Sequence, residues 1–417
     1  MITVITNPAQ IITVGTEGEN IKHGLSMNEI KPLYDHHLLI EDGLIKDFVP
    51  FNSSAGLHYN RRIEATGMTI LPGLVECHTH SVFSGSRSDE FNQRLQGVSY
   101  EEIASGGGGI NKTVESVRGF SFEKLAEIAG KRVKDFISQG VTTLEIKSGY
   151  GLDFNNEIKL LRLINYLNSI YPIEIVPTFL GAHVYPVEYK NDKAGYIKLL
   201  TDRLLPFIAD NNLANFCDGF CESTAFSSED LDSLFDRASE LGFGLKLHTD
   251  QFNSIGGIKL AVKYKLLSVE HLEVITPEDI NILGGQNIVP VLLPGVSFFL
   301  NYNYAPARNL INAGAPVALA TDYNPGSSNI KNIPFIMSLA ALKLGMTSEE
   351  IISAYTINSA AALNMNKKIG SLEINKNADL AILNTDNYRD IIYYIGENLN
   401  CMTVKNGEVI FKSSSCK

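Results

Sequence analysis

Four residues in this sequence have the types and spacing to hold a metal ion. His78-Thr79-His80 places two imidazoles two positions apart. In an extended chain such residues point to the same side, so both rings can reach one ion. His248 ends the run Gly244-Leu245-Lys246-Leu247, and Asp322 ends Val317-Ala318-Leu319-Ala320-Thr321. A carboxylate after such a run is costly to bury unless it is paired or ligated; its other use would be to cap a following helix. Three imidazole nitrogens and one carboxylate oxygen suit zinc or iron. A remaining open position would take water, whose pKa the ion lowers towards neutrality, and the resulting chemistry is hydrolysis. His183 and His271 also stand at or just past strand-like runs. On spacing alone they could equally be hydrogen-bonded core histidines.

The elements that must position these residues alternate. Strand-like runs fall at 70–76, 141–147, 173–182, 216–221, 243–248, 266–271, 287–292 and 316–321. Amphipathic helices separate them. In 228–241, Leu231, Leu234, Phe235, Ala238 and Leu241 share one face. Ser227 or Ser228 can cap its start, and Gly242 can close it in the left-handed conformation. The stretch 122–139 repeats the pattern and ends at Gly140. Thr276-Pro277 and Thr347-Ser348-Glu349-Glu350 read as further helix starts, the second as a capping box. Such alternation selects a parallel barrel or a doubly wound sheet. The barrel is favoured because polar residues gather at the C-terminal ends of the strands, where barrels build their sites. Residues 1–70 and 375–417 carry short β-type runs and turn signals such as Asp42-Gly43 and Asn406-Gly407. The expected architecture is α/β: a (β/α)₈ barrel over 69–372, with a small β-sandwich domain formed by both termini, 1–68 and 373–417.

Composition narrows the partners. A hydrophobic share of 44% against 19% charged residues suits a chain of 417 residues with a large core. The net charge of −11 argues against a nucleic-acid partner, which needs a basic face. A local arginine can still bind an anionic substrate. No run approaches the ~18 apolar residues of a membrane span, and the start lacks the pattern of a signal peptide. The five cysteines, Cys77, Cys217, Cys221, Cys401 and Cys416, are irregularly spaced, which reads as reduced and cytoplasmic. Cys217 and Cys221 lack a second pair that would complete a zinc cage. Gly106–Gly109 is no phosphate cradle, because no Lys-Ser/Thr follows in register; a loop over the barrel mouth is expected there.

Nearly the whole chain resembles the amidohydrolase superfamily and, within it, the imidazolonepropionase family. The resemblance is carried by LPGLVECHTHSVFSGSR (71–87), GGGGINKTVESVR (106–118), TTLEIKSGYGLD (142–153), TFLGAHVYPVEY (178–189), FCDGFCES (216–223), KLHTDQFNSIGG (246–257), SVEHLE (268–273), LLPGVSFFL (292–300) and ALATDYNPGSS (318–328). It implies hydrolysis of the cyclic amide of 4-imidazolone-5-propanoate to N-formimidoyl-L-glutamate, in the degradation of histidine to glutamate. It also implies one divalent or trivalent ion per subunit, zinc or iron, and a homodimer. By matching motif, His78, His80, His248 and Asp322 are the implied metal ligands. Arg87, Tyr150 and His183 are implied to hold the substrate, with Arg87 on the propionate carboxylate. Gln251 is implied to contact the ring, Asn324, Gly326 and Ser327 to contact substrate or product, and Tyr100 to be a further contact. His271 is implied to orient the attacking water or stabilise the oxyanion, sharing catalysis with Asp322 and Gln251.

Three positions depart from the family pattern. Gln251 stands where some members have Glu; an amide cannot act as a base, so proton transfer would fall to Asp322 or His271. Tyr323 replaces a usual Phe, and Asn375-Lys376 a Gly-Lys turn. Lys147 lies on the second barrel strand, whereas the modified lysines that bridge two metals in some members come from a later strand; it reads as structural and the site as mononuclear. Two other readings compete. A cyclic amidohydrolase or nucleobase deaminase of the same superfamily would keep barrel and ion, but deaminases usually carry His-x-x-Glu where this chain has His248-Thr249-Asp250-Gln251. A non-catalytic scaffold should have lost ligands, and all four are present.

Overall fold

The structure is a computed structural model that describes residues 1–53, 56–98, 102, 108–414 and 416. Eight parallel strands form its centre, in chain order: Leu74–Glu76, Val141–Lys147, Glu174–Ala182, Phe216–Cys221, Gly244–Thr249, Ser268–His271, Val289–Leu292 and Ala318–Leu319. Each pairs with the next. The eighth meets the first through a bridge between Thr79 and Tyr323, which closes the sheet into a barrel. These are called barrel strands one to eight below.

The helices between them begin and end where local chemistry demands. Ser227 accepts from Asp230 N, while the Asp230 side chain returns to Ser227 N, so the helix Ser228–Glu240 opens on a reciprocal cap. Gly242 behind it has φ +84°. Thr347 opens the helix Ser348–Ser353 on the same reciprocal cap with Glu350, while Thr276 caps Pro277–Gly284 by accepting from Asp279 N. The helix Phe122–Ile137 buries Leu125, Ala129, Val133, Phe136 and Ile137. No helix among the described residues is long and apolar enough to cross a membrane.

The sequence pattern suggested one strand over 70–76, but the structure contains two. Thr69–Pro72 runs antiparallel to Leu380–Leu383 and parallel to Gln10–Ile12, in a sheet of terminal strands. Leu74–Glu76 belongs to the barrel. Gly73 is the transfer point: its N–H bonds Asp379 O at 2.7 Å, and Leu74 N bonds Gly140 O at 2.9 Å. The backbone passes so close to Thr142 that a Cβ on Gly73 would lie 2.3 Å from Thr142 Oγ1. Periodicity cannot reveal a strand that changes sheets without changing direction of hydrophobicity.

Both termini build two further sheets. One orders Leu44–Pro50, His36–Glu41, Ile2–Thr6 and Arg61–Glu64. The other orders Glu408–Lys412, Asn400–Lys405, Leu380–Leu383, Thr69–Pro72, Gln10–Ile12 and Pro32–Leu33. Ile5, Leu38, Ile40 and Ile63 of the first pack with Ile11, Ile70, Ile382 and Val404 of the second in one apolar core, making a small sandwich. The expectation of five reduced cysteines fails at one pair. The hairpin that ends the chain returns alongside Asn400–Lys405, with Ser413 N bonded to Cys401 O, and Cys401 and Cys416 form a disulfide. Cys77, Cys217 and Cys221 are free and buried.

Candidate metal centre and active site

The proposed ligands meet at the C-terminal mouth of the barrel. His78 and His80 follow strand one, His248 lies in strand five, and Asp322 follows strand eight. Backbone bonds from Asp322 N to His78 O (3.1 Å) and from His80 N to Tyr323 O (3.0 Å) fix the segments after barrel strands one and eight against each other. The Nε2 atoms of His78 and His80 lie 3.2 and 3.4 Å from Asp322 Oδ1. The ring of His248 is centred 4.6 Å from that of His78 and 5.6 Å from that of His80. Asp322 has φ +48°, His271 +84° and Leu272 +72°. Side chains disfavour this region, and strain of this kind collects at functional sites.

The donor set fits a cation. His78 Nε2, His248 Nε2 and Asp322 Oδ1 are buried and have no hydrogen-bond partner. Buried polar atoms are normally satisfied, so such unpaired atoms, with His78 Nε2 3.2 Å from Asp322 Oδ1, mark a place for a ligand they can share. His78, His80 and Asp322 offer atoms within 4.8 Å of one another, as do His78, His248 and His271. Behind the rings stand carboxylates: Glu270 Oε2 lies 2.5 Å from His78 Nδ1, and Asp218 Oδ1 3.1 Å from His248 Nδ1. Such partners orient ligand imidazoles and select the tautomer that leaves Nε2 for the metal. Burial opposes charge on His78, but Glu270 and Asp322 together outweigh it and raise that ring to about 9. Burial, with His183, His78 and His248 nearby, keeps His80 well below the usual histidine range. Burial lowers His248, and Asp218 only partly offsets it.

A cavity of about 220 Å³ opens above these donors. Arg87, Tyr150, His183, Gln251, His271, Asn324, Gly326 and Ser327 all line it with His80, His248 and Asp322. Tyr100 lies outside the described residues, as do Gly106 and Gly107; Gly108 and Gly109 line the cavity. Arg87 Nε donates to Glu90 Oε2 at 2.7 Å, and Glu90 Oε1 accepts from Gly109 N at 3.2 Å, so a buried carboxylate ties the arginine to the glycine run. His183 Nδ1 donates to Gly149 O at 3.0 Å. The Tyr150 turn is wrapped on Glu157, which accepts from the N–H groups of Gly149, Gly151 and Leu152. Asn324 spends its amide within its own loop: Oδ1 accepts from Gly326 N and Ser327 N, and Nδ2 donates to Asp322 O and Ser327 Oγ. His271 Nδ1 lies 3.5 Å from Glu273 Oε1, both buried.

Sequence reasoning overlooked the carboxylates that support the site. Asp218, Glu270 and Glu157 are fully buried. Asp218 and Glu270 are isolated charges within apolar strands, the same signal that singled out Asp322. Glu222 is another: it accepts from Phe252 N, Asn253 N and Asn253 Nδ2, and so holds the loop after Gln251. Phe220, Thr224, Phe252 and Leu300 also line the cavity, as do Ile110, Asn111 and Val184, and carried no distinguishing signal.

Comparison with known proteins agrees with this geometry. Residues 69–410 match the amidohydrolase family. An imidazolonepropionase of Flavobacterium johnsoniae is 41% identical over 411 residues, covering 98% of this chain and 100% of its own. One from Geobacillus sp. is 39% identical over 415 residues, covering 98% of both chains. Among solved structures, a triazine hydrolase variant superposes with a TM-score of 0.78 at 17% identity, covering 99% of this chain and 95% of its own, which speaks to the fold alone. The chain belongs to the amidohydrolase family and, within it, to the imidazolonepropionases.

Proposed function

We propose that this chain hydrolyses 4-imidazolone-5-propanoate to N-formimidoyl-L-glutamate, the histidine-degrading reaction of its family, and that the residues gathered at the barrel mouth divide the work as follows. The observation that carries the reading is that His78 stands with His80 and Asp322 on one side and with His248 on the other, below a cavity lined by Arg87. A zinc or iron ion held by those four side chains would supply Lewis acidity, polarising the ring carbonyl and making water a stronger nucleophile.

The remaining steps belong to side chains. Arg87 pairs with the propionate carboxylate, and its bond to Glu90 fixes the guanidinium plane. Tyr150 and His183 flank the imidazolone ring, with Gln251 as a neutral hydrogen-bonding partner. Asp322 takes a proton from the attacking water as the new C–O bond forms at the ring carbonyl. His271 donates a hydrogen bond to the developing oxyanion. When the ring C–N bond breaks, the proton held at Asp322 goes to the leaving nitrogen. The loop 324–327 holds the substrate with one carbonyl turned towards the ligands. The reading extends to one ion per subunit, a homodimer and a cytoplasmic location.

Turnover of imidazolone propionate by purified protein, run beside elemental analysis and light scattering, tests it. Loss of substrate absorbance without ammonia release is expected, with one equivalent of zinc or iron. Ammonia from a purine or pyrimidine, with imidazolone propionate untouched, would instead indicate a deaminase.

A further inference from the structure

Below the ligand cluster the barrel interior holds a knot of charge. Glu145, Lys147, Asp218, Lys246 and Glu270 come from strands two, four, five and six, and each is fully buried. Lys147 Nζ lies 2.9 Å from Asp218 Oδ2, 3.0 Å from Glu270 Oε2 and 3.1 Å from Glu145 Oε2. Lys246 Nζ lies 2.8 Å from Glu145 Oε2 and 2.9 Å from Glu270 Oε1. Removing ions from water costs several kcal/mol each, and apolar side chains of equal volume often give an equally stable core or a better one. Stability does not account for this arrangement.

Its geometry does. Asp218, His248 and Glu270 bring donor atoms within 4.8 Å of one another, an arrangement able to ligate a cation. Lys147 delivers an ammonium to it. The two carboxylates nearest that ammonium are the ones behind the ligand rings: Glu270 Oε2 is also the atom 2.5 Å from His78 Nδ1, and Asp218 Oδ2 is 3.1 Å from His248 Nδ1.

We propose that Lys147 is a positioning residue for the ion site, a built-in cation that holds Asp218 and Glu270 against His248 and His78. Without it, Asp218 and Glu270 repel each other and turn apart. The two imidazoles then lose the partners that aim Nε2 at the ion. Lys246 plays a lesser part, on the oxygen of Glu270 away from His78. The inference rests on reading His78 and His248 as metal ligands.

The test is zinc affinity by chelator competition, on wild type, His248→Ala, Lys147→Met and Lys147→Ala. If wild type binds no ion, or His248→Ala binds as well as wild type, the ligand reading falls and this inference with it. With that reading sustained, Lys147→Met is expected to weaken zinc binding about 10- to 100-fold. Lys147→Ala is expected to regain part of the loss with millimolar ammonium, which can enter the vacated position; Lys147→Met, whose side chain fills that space, is not. A packing role would leave the Met variant unaffected and make ammonium irrelevant. Wild-type affinity in Lys147→Met, or an Ala variant indifferent to ammonium, therefore overturns the inference while leaving the ligands intact. Should neither variant fold, Lys246→Met carries the test: a smaller loss of affinity supports the inference and an unchanged affinity overturns it.

Discussion

Gly326 lies directly against the guanidinium of Arg87: a Cβ built on Gly326 would sit 2.1 Å from Arg87 Nη1. The glycine and the arginine therefore share one space, and the arginine's position depends on the absence of a side chain in the loop after Asp322.

Gly326→Ala should displace Arg87 and raise KM for imidazolone propionate about tenfold or more, with a smaller change in kcat. Arg87→Ala should do the same more strongly, because it removes contact with a carboxylate remote from the reacting bond. Arg87→Lys should not rescue it, since an ammonium lacks the planar fork. Steady-state kinetics check all three; an unchanged kcat/KM in Arg87→Ala would end the assignment.

His248→Ala should abolish both ion binding and turnover. In the intact protein, chelation should lower Tm, because an ion that binds only the folded state stabilises it by mass action. Differential scanning fluorimetry with and without chelator, repeated on the variant, gives the comparison. The variant should show no chelator-dependent shift.

Glu76 predicts a pH dependence of stability. Burial pushes its carboxyl up to about 8, against the opposing bond from Thr321 N, and Oε2 has no partner. The folded state therefore binds a proton that the unfolded state releases near its ordinary value. This contribution is fully present below about pH 4.5 and is lost as pH rises towards 8, with a slope of at most about 1.4 kcal/mol per pH unit. Glu76→Gln keeps an acceptor for Thr321 and should flatten that part of the profile, measured by urea melts of metal-free protein.

At Gly73, substitution tests the transfer of the chain from sandwich to barrel. Gly73→Val should clash with Thr142 and lower stability by about 1–3 kcal/mol, as overpacking typically does. Gly73→Val combined with Thr142→Ala should recover part of that loss in the same melts.

Much of this was readable in the residues. Ser227, Thr276 and Thr347 announced their helices because capping is local chemistry, set by a few neighbours. His78, His80, His248 and Asp322 stood out as polar groups ending apolar runs. What escaped was non-local. Gly73 looked like any strand glycine, since nothing within ten residues signals that Asp379 and Thr142 approach it. Asp218 and Glu270 met the criterion that exposed Asp322, but their partners lie on other strands. Cys416 gave no sign of pairing with Cys401, because only the returning hairpin brings it there.

The junction of strands one and eight has a consequence for the whole cylinder. Every other neighbouring pair of staves is laced by its own ladder, whereas this pair meets through the single Thr79–Tyr323 bridge and the bonds beside it. His78 and His80 stand on one side of that joint and Asp322 on the other. An ion clasped by all three would rivet the hoop where its lacing is thinnest. Emptying the centre would then do more than stop turnover: it would loosen the wall along one line, with amide exchange quickening first at His80 and Asp322, whose N–H groups cross the joint.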